Sequence, residues 1–414
     1  MNDVLRWNRL VLSNGLKVLT YPRLSALTAQ LSVAIEYGSN DDSEEDSGAA
    51  HFLEHMLVGG SQERIDLHNK IEVLGGCSGF ETNPEFTYCA VNIFPDKLAE
   101  ASKVLSGLLF DSSFDKEKLE IERKVILNEI ADISDDPMSK VGEALAKSLF
   151  RSHPIRRPVS GTKRSVRQAT LNQLEEIHWS RYAPRNMILV LTGRFSEEDL
   201  DEVCGDFSER ENRDVILKKL HGKERSIPKE KTKIEKSGIT QAYLTLGART
   251  VPSKDNASSA LDLLSVILGI GESSRLFVEL REKRALTYDV GSMHISGLDF
   301  GFFAVDCSVK PKSLEQAEML IKKELKKIKT EKVAEAELNK AKTQMLAALY
   351  RDFDSPTELP RLMAEMEIQY KSENALLDYA EKIQKTKSQD IIEAADKYFQ
   401  DENFSKAILT PKNK

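Results

Sequence analysis

The chain has 414 residues and a formal net charge of −7, with 59 Lys and Arg against 66 Asp and Glu; this acidic balance gives no case for nucleic acid, which calls for a basic face. Its length suits two or more domains with sizeable cores, and 40% hydrophobic with 30% charged residues is ordinary for a folded protein. No stretch approaches eighteen apolar residues, and the start MNDVLRWNRL lacks a basic segment followed by an apolar run, so neither a membrane span nor a signal peptide is expected.

Leu10 to Arg23 alternates apolar residues around Asn14-Gly15, a two-residue turn signal, and predicts a hairpin. Leu31 to Tyr37 is a third strand. The acidic run from Asn40 to Asp46 reads as a solvated loop leading into Ser47 to Leu57, SGAAHFLEHML, which predicts a helix. Spacings of three and four put His51, Glu54 and His55 on one face of it. Two neutral imidazoles four apart on a helix are half of a zinc site, and a carboxylate beside them can take a proton from water. The order H-x-x-E-H is the inverted zinc-protease signature. Such a site needs a third protein ligand and keeps its fourth position open.

Glu63 to Leu74 is an amphipathic helix closed by Gly75-Gly76, and its His68 is assigned no role. Phe86 to Phe94 is a strand, and Pro95 to Phe110 a helix with Pro at its start. Ile121 to Ile133 sits in a strongly periodic helix in which Glu122 and Glu129 lie two turns apart on one face. That helix stops near Asp135-Asp136-Pro137. Helices over Met138–Phe150 and Leu171–Tyr182, a strand over Met187–Thr192 and a helix over Ser196–Phe207 complete this half. Ser208 to Gly238 is densely charged and poor in apolar residues, as expected of a linker with one short helix. The four cysteines, Cys77, Cys89, Cys204 and Cys307, show no metal-ligand spacing and read as reduced core thiols of a cytoplasmic protein.

From about Ile239 the order of elements repeats. Ser47 to His51 matches Ser258 to Asp262 at an offset of 211, Cys89 to Ile93 matches Phe303 to Cys307 in type, and Asp136-Pro137 matches Ser355-Pro356 at an offset of 219. The expected fold is therefore α+β, with two similar α/β-sandwich domains over 1–207 and 239–414 joined by a charged linker over 208–238. At these offsets His51, Glu54 and His55 fall on Asp262, Ser265 and Val266, and Glu122 and Glu129 fall on Ala341 and Ala348. Small and apolar residues cannot ligate a metal, so the second half is expected to be metal-free.

The HFLEH stretch, followed 74 positions after His55 by the Glu129 that closes Glu122-Arg123-x5-Glu129, resembles the pitrilysin-like metallopeptidases, the group of insulin-degrading enzymes and mitochondrial processing peptidases. The resemblance spans nearly the whole chain. It implies one zinc ion per chain on His51, His55 and Glu129, with Glu54 as general base and Glu122 as an acid supporting a ligand from behind. Ser273 to Tyr288 resembles the family's R/Y motif, with Arg281 and Tyr288 seven apart. In the family this pair reaches the substrate near the zinc, where a Tyr hydroxyl can donate to an oxygen gaining negative charge. The implied function is a zinc endopeptidase acting on peptides or unfolded segments, each chain half of a clamshell chamber and a homodimer the working unit. The alternative is a non-catalytic or partner-dependent subunit of a hetero-complex. One stretch departs from the family: after the Gly-Gly turn, members show Asn-Ala and then Thr, whereas this chain has Gly79-Phe80-Glu81-Thr82. That segment leads to the edge strand on which substrate lies as an added strand, so altered peptide preference or weak activity is expected.

Overall fold

The computed structural model describes residues 5–111, 113–211, 213–216, 220–222, 224, 231–236 and 238–412. The first half contains strands β1 (Asn8–Val11), β2 (Lys17–Pro22) and β3 (Ala29–Ile35), helices α1 (Ala49–Gly59) and α2 (Gln62–Val73), then β4 (Cys77–Thr82) and β5 (Thr87–Ile93). Helices α3 (Leu98–Phe110), α4 (Lys116–Asp135), α5 (Pro137–Leu149), α6 (Lys163–Gln168) and α7 (Leu171–Arg181) follow, then β6 (Met187–Gly193) and α8 (Glu197–Ser208). The second half runs β7 (Lys231–Lys236), β8 (Ala242–Arg249), α9 (Ser258–Gly269), β9 (Thr287–Ser296) and β10 (Gly301–Val309). Helices α10 (Leu314–Thr330), α11 (Glu335–Asp354), α12 (Glu358–Tyr370), α13 (Ala375–Lys385) and α14 (Ser388–Tyr398) precede the last strand, β11 (Phe404–Pro411). Among the described residues no helix is long and apolar enough to cross a membrane.

Two compact units emerge, and each is discontinuous in sequence. One holds Met1–Ala131, Arg157–Lys219 and Arg351–Leu377; the other holds Asp132–Arg156, Leu220–Tyr350 and Asp378–Lys414. The contiguous division at 207 and 239 describes the repeat in the sequence, whereas in three dimensions each half lends the other a helix.

The first unit is built on a six-stranded sheet in the order β1-β2-β6-β3-β5-β4. The hairpin at its edge turns on Gly15, whose φ of +87° suits a residue without Cβ, and Asn14 Oδ1 accepts from Leu16 N. One sheet face, with Val18, Leu31, Val33, Val91 and Leu189, packs on Phe52 and Met56 of α1 and Leu105 of α3. The opposite face is covered by α12. That helix is pinned by Arg9, which donates to the fully buried carboxylate of Glu367 at 3.0–3.2 Å.

The second unit has a five-stranded sheet in the order β7-β11-β8-β10-β9. Taking β2, β6, β3, β5 and β4 in turn, each has its counterpart at the same place. Helices α4 and α11 are both twenty residues long. One face packs on α9 and α10; the other takes α5, whose Val141, Leu145 and Leu149 meet Ala304, Ala407 and Leu409. Gly247 permits that approach, since a Cβ there would lie 2.8 Å from Leu145.

Three expectations need correction. Of the four cysteines only Cys89 and Cys307 lie in the core, while Cys204 is half-buried and Cys77, at the start of the edge strand β4, is exposed. The described residues between 208 and 238 contain no helix but a strand, β7, which runs parallel to β11; residues 212, 217–219, 223, 225–230 and 237 lie outside the description. Its KTKIEK sequence looks like a linker because alternate side chains of an edge strand stay polar. The acidic run Asn40–Asp46 is also not wholly solvated, because Asp42 is buried.

Candidate metal centre

Helix α1 is fastened at both ends. Gly48 precedes it at φ +92°, and a Cβ there would lie 2.7 Å from the Ser160 carbonyl. The Asp42 carboxylate accepts from Gly48 N at 2.8 Å, Ala50 N at 3.2 Å and the Tyr37 hydroxyl at 2.7 Å, which satisfies donors that a helix start leaves open. Burial pushes the Asp42 carboxyl up to about 7 against these donors. At the other end buried Arg64 donates to the carbonyls of Leu57 at 2.9 Å and Leu108 at 2.7 Å, binding the ends of α1 and α3 together. Its guanidinium lies 4.6 Å from the Phe114 ring centre, and burial lowers its pKa to about 10.

Helix α4 is aligned against α1 by Arg123, which lies over the Phe52 ring and donates to the carbonyls of Val166 and Ala169. This brings Glu129 to the two histidines. Its Oε2 is 3.7 Å from His51 Nε2 and 3.4 Å from His55 Nε2. Ligands at 2.0–2.2 Å around a tetrahedral ion stand roughly 3.3–3.6 Å apart, so the spacing and the two-nitrogen, one-oxygen donor set fit zinc. Among the described residues these three form the one group of His, Cys, Asp and Glu side chains able to hold a metal ion.

The surroundings match that reading. His55 Nδ1 lies 3.1 Å from Glu122 Oε2, an arrangement that fixes the tautomer and turns Nε2 toward Glu129. Glycine at residue 59 leaves room for Glu122 in this position: a Cβ there would stand 2.1 Å from Glu122 Oε1, and the carboxylate would have to shift. Burial and the neighbouring His55 lower the His51 pKa to about 4, which keeps its ring neutral. Burial also acts downward on His55, but Glu122, Glu129 and Glu54 together hold its pKa above the ordinary value. Glu54 is raised by burial, against a hydrogen bond of 2.8 Å from the Thr82 hydroxyl.

His51, Glu54, His55, Glu122 and Glu129 therefore converge in the first unit. Arg281 and Tyr288 stand together in the second, around a π-helical turn over Phe277–Glu282. Arg281 Nη1 donates to the Tyr288 carbonyl at 3.1 Å and its guanidinium lies 4.4 Å from the Tyr288 ring centre, while Tyr288 is 77% exposed. His68, assigned no role above, meets Ser78 Oγ at 2.7 Å. The Gly79-Phe80-Glu81-Thr82 segment is itself part of the edge strand β4. Beside it runs a cleft of about 310 Å³ lined by Gln30, Gly79, Glu81, Tyr88, Asn92 and Arg361. Asp42, Gly59 and Arg64 carry no local signal for their roles, which arise from contacts distant in sequence.

Two family models and several known proteins are similar to this chain. Residues 17–163 match the family model described as insulinase, peptidase family M16, and residues 168–345 match the one described as peptidase M16 inactive domain. An uncharacterized zinc protease of Mycobacterium leprae is 28% identical over 373 residues, covering 87% of this chain and 82% of that one. An uncharacterized zinc protease of Rickettsia felis is also 28% identical, covering 97% and 96%. The crystal structure of a protease from Helicobacter pylori superposes with a TM-score of 0.92 at 23% identity, covering 98% of this chain and all of that one.

Proposed function

The chain belongs to peptidase family M16, and from that premise we propose that it is a zinc-dependent endopeptidase hydrolysing peptides or unfolded polypeptide segments. The observation that carries this reading is the convergence of His51, His55 and Glu129 with Glu54 beside them. When bound there, zinc supplies a Lewis acid and makes water more acidic. Glu54 takes the proton of the attacking water and delivers it to the departing amine, its basicity raised by burial. Glu122 holds His55 in the tautomer that leaves Nε2 unprotonated. Arg281 and the exposed Tyr288 orient the peptide and donate to the carbonyl oxygen as it gains charge. The substrate lies extended along the free edge of β4. A second copy of the chain completes the working unit. Four unpaired cysteines fit a reducing compartment such as the cytoplasm.

The deciding experiment is hydrolysis of a quenched, unstructured peptide by the purified chain, with Glu54→Gln as blank and zinc quantified in both. Cleavage by wild type alone, with about one zinc per chain in each sample, is the expected result. Neither zinc nor cleavage would overturn the enzyme reading in favour of a non-catalytic subunit.

A further inference from the structure

Among the described residues nothing pairs with the outer edge of strand β4, yet both of its faces are held. Ser78, Phe80 and Thr82 turn toward the layer of α1 and α2, as the two-residue period of a strand requires. There Ser78 meets His68, Phe80 packs against the core 5.9 Å from the His68 ring, and the Thr82 hydroxyl donates to Glu54 Oε2 at 2.8 Å. Cys77, Gly79 and Glu81 turn to the other face, where Arg361 of α12 donates to Glu81 at 2.8 Å. Of the three side chains on the α1 side, Thr82 alone has a hydrogen bond to the carboxylate assigned as base. The two groups are 28 residues apart in sequence, so the contact exists only because β4 and α1 lie in adjacent layers.

A glutamate has three side-chain torsions, and the last rotates broadly between its two oxygens. Left alone, the Glu54 carboxylate would sample orientations of which few face the attacking water. A hydroxyl donor on Oε2 removes most of that freedom and leaves Oε1 for the water.

We propose that Thr82 is the positioning residue for Glu54, tying the orientation of the base to the strand along which the peptide lies. This rests on the reading of Glu54 as general base. Thr82 touches no reacting atom and acts through Glu54. Its competing role is structural, the satisfaction of a half-buried carboxylate, and the two roles differ in what they do to turnover.

The test compares Thr82→Val, which keeps the shape and drops the hydroxyl, with Thr82→Ser, which keeps the hydroxyl. Both are measured in the full zinc-loaded chain on the quenched peptide. A base misplaced by about 1 Å costs on the order of a hundredfold in rate, so Thr82→Val is expected to lower kcat about ten- to a hundredfold. KM, zinc content and melting temperature should stay at wild-type values, and Thr82→Ser should recover most of kcat. In a Glu54→Asp background, whose shorter side chain no longer meets the hydroxyl, Thr82→Val should add no further loss, because coupled residues are not additive. Wild-type kcat in Thr82→Val overturns the proposal, as does a loss that adds in full to that of Glu54→Asp. So does a Thr82→Ser variant as impaired as the valine variant. A Glu54→Gln variant as active as wild type overturns the reading of Glu54 as base, whereas an inactive Glu54→Gln beside a fully active Thr82→Val overturns the positioning role alone, which separates the two failures.

Discussion

Helices α1 and α9 occupy corresponding places in the two units, and their polar residues meet different fates. At the position of His51 the second unit has Asp262, whose carboxylate is used up inside the unit. Oδ1 lies 2.6 Å from His294 Nδ1, Oδ2 accepts from the Tyr379 hydroxyl at 3.0 Å, and His294 Nε2 lies 3.0 Å from Thr250 Oγ1. Both helices end in glycine, but for different neighbours. Gly59 makes room for the Glu122 carboxylate, while a Cβ on Gly269 would strike Ser292 of β9. In α1 the histidine nitrogens and Glu129 are drawn together without pairing off completely, and His51 Nδ1 is buried with no partner among the described residues. A shared fold thus supports a binding site in one unit and a closed polar network in the other, depending on whether the facing groups can satisfy one another.

That comparison can be broken most severely by making the first unit resemble the second. His51→Asp is expected to reduce bound zinc from about one ion per chain to near none, because three protein ligands are needed, and to bring peptide hydrolysis to background. Metal analysis after gel filtration reads the first effect. Because an aspartate can itself bind zinc, His51→Ala is the control, and stoichiometric zinc in that variant would mean that His51 is not a ligand.

A smaller change sharpens the contrast between the two terminal glycines. Gly59→Ala should lower zinc affinity about ten- to a hundredfold, the usual cost of disturbing a group that orients a ligand, as measured by competition with a chelator. Alanine also favours a helix by about 1 kcal/mol over glycine, so a drop in affinity without a drop in melting temperature would isolate displacement of Glu122.

The smallest effect concerns stability and belongs to the first unit alone. His178 is fully buried, Nε2 lies 2.9 Å from the Leu109 carbonyl, and burial, with Arg64 and Arg213 adding to it, lowers its pKa to about 3. The folded chain therefore binds this proton more weakly than the unfolded chain does. Stability from this group is complete above about pH 6.5 and is lost as pH falls toward 3, at up to about 1.4 kcal/mol per pH unit. Urea unfolding of wild type and His178→Gln between pH 7 and about 5 should show the wild-type stability falling more steeply. Equal slopes would show that His178 does not govern this acid sensitivity.

How much of this was legible in the sequence follows from the range of each interaction. His51, Glu54 and His55 lie within one and a half turns of helix, and Glu122 and Glu129 within two, so their spacing displays the geometry directly. The duplication was legible because strands and helices recur in order, and α4 and α11 keep the same length and offset. Gly59, Asp42 and Thr82 were not, since each matters through a partner on another element. Neither was the lending of helices: an amphipathic pattern shows that α5 and α12 have an apolar face, but not which sheet it covers. Strand β7 was hidden by its own polarity, with Lys, Thr and Glu at five of six positions.

The lent helices also set a schedule for making the protein. The strands of the first sheet have all been synthesised by Gly193, but α12, which covers one face of that sheet, begins at Glu358. At ribosomal speeds of 5–20 residues per second, the gap lasts roughly 8–35 seconds. Throughout it Leu19, Ala34, Ile188 and Val190, all fully buried in the finished protein and sharing the covered face, await their partner. The nascent chain carries an uncovered apolar sheet for that interval, a surface of the kind that chaperones shield, and a fragment ending at residue 207 would carry it permanently.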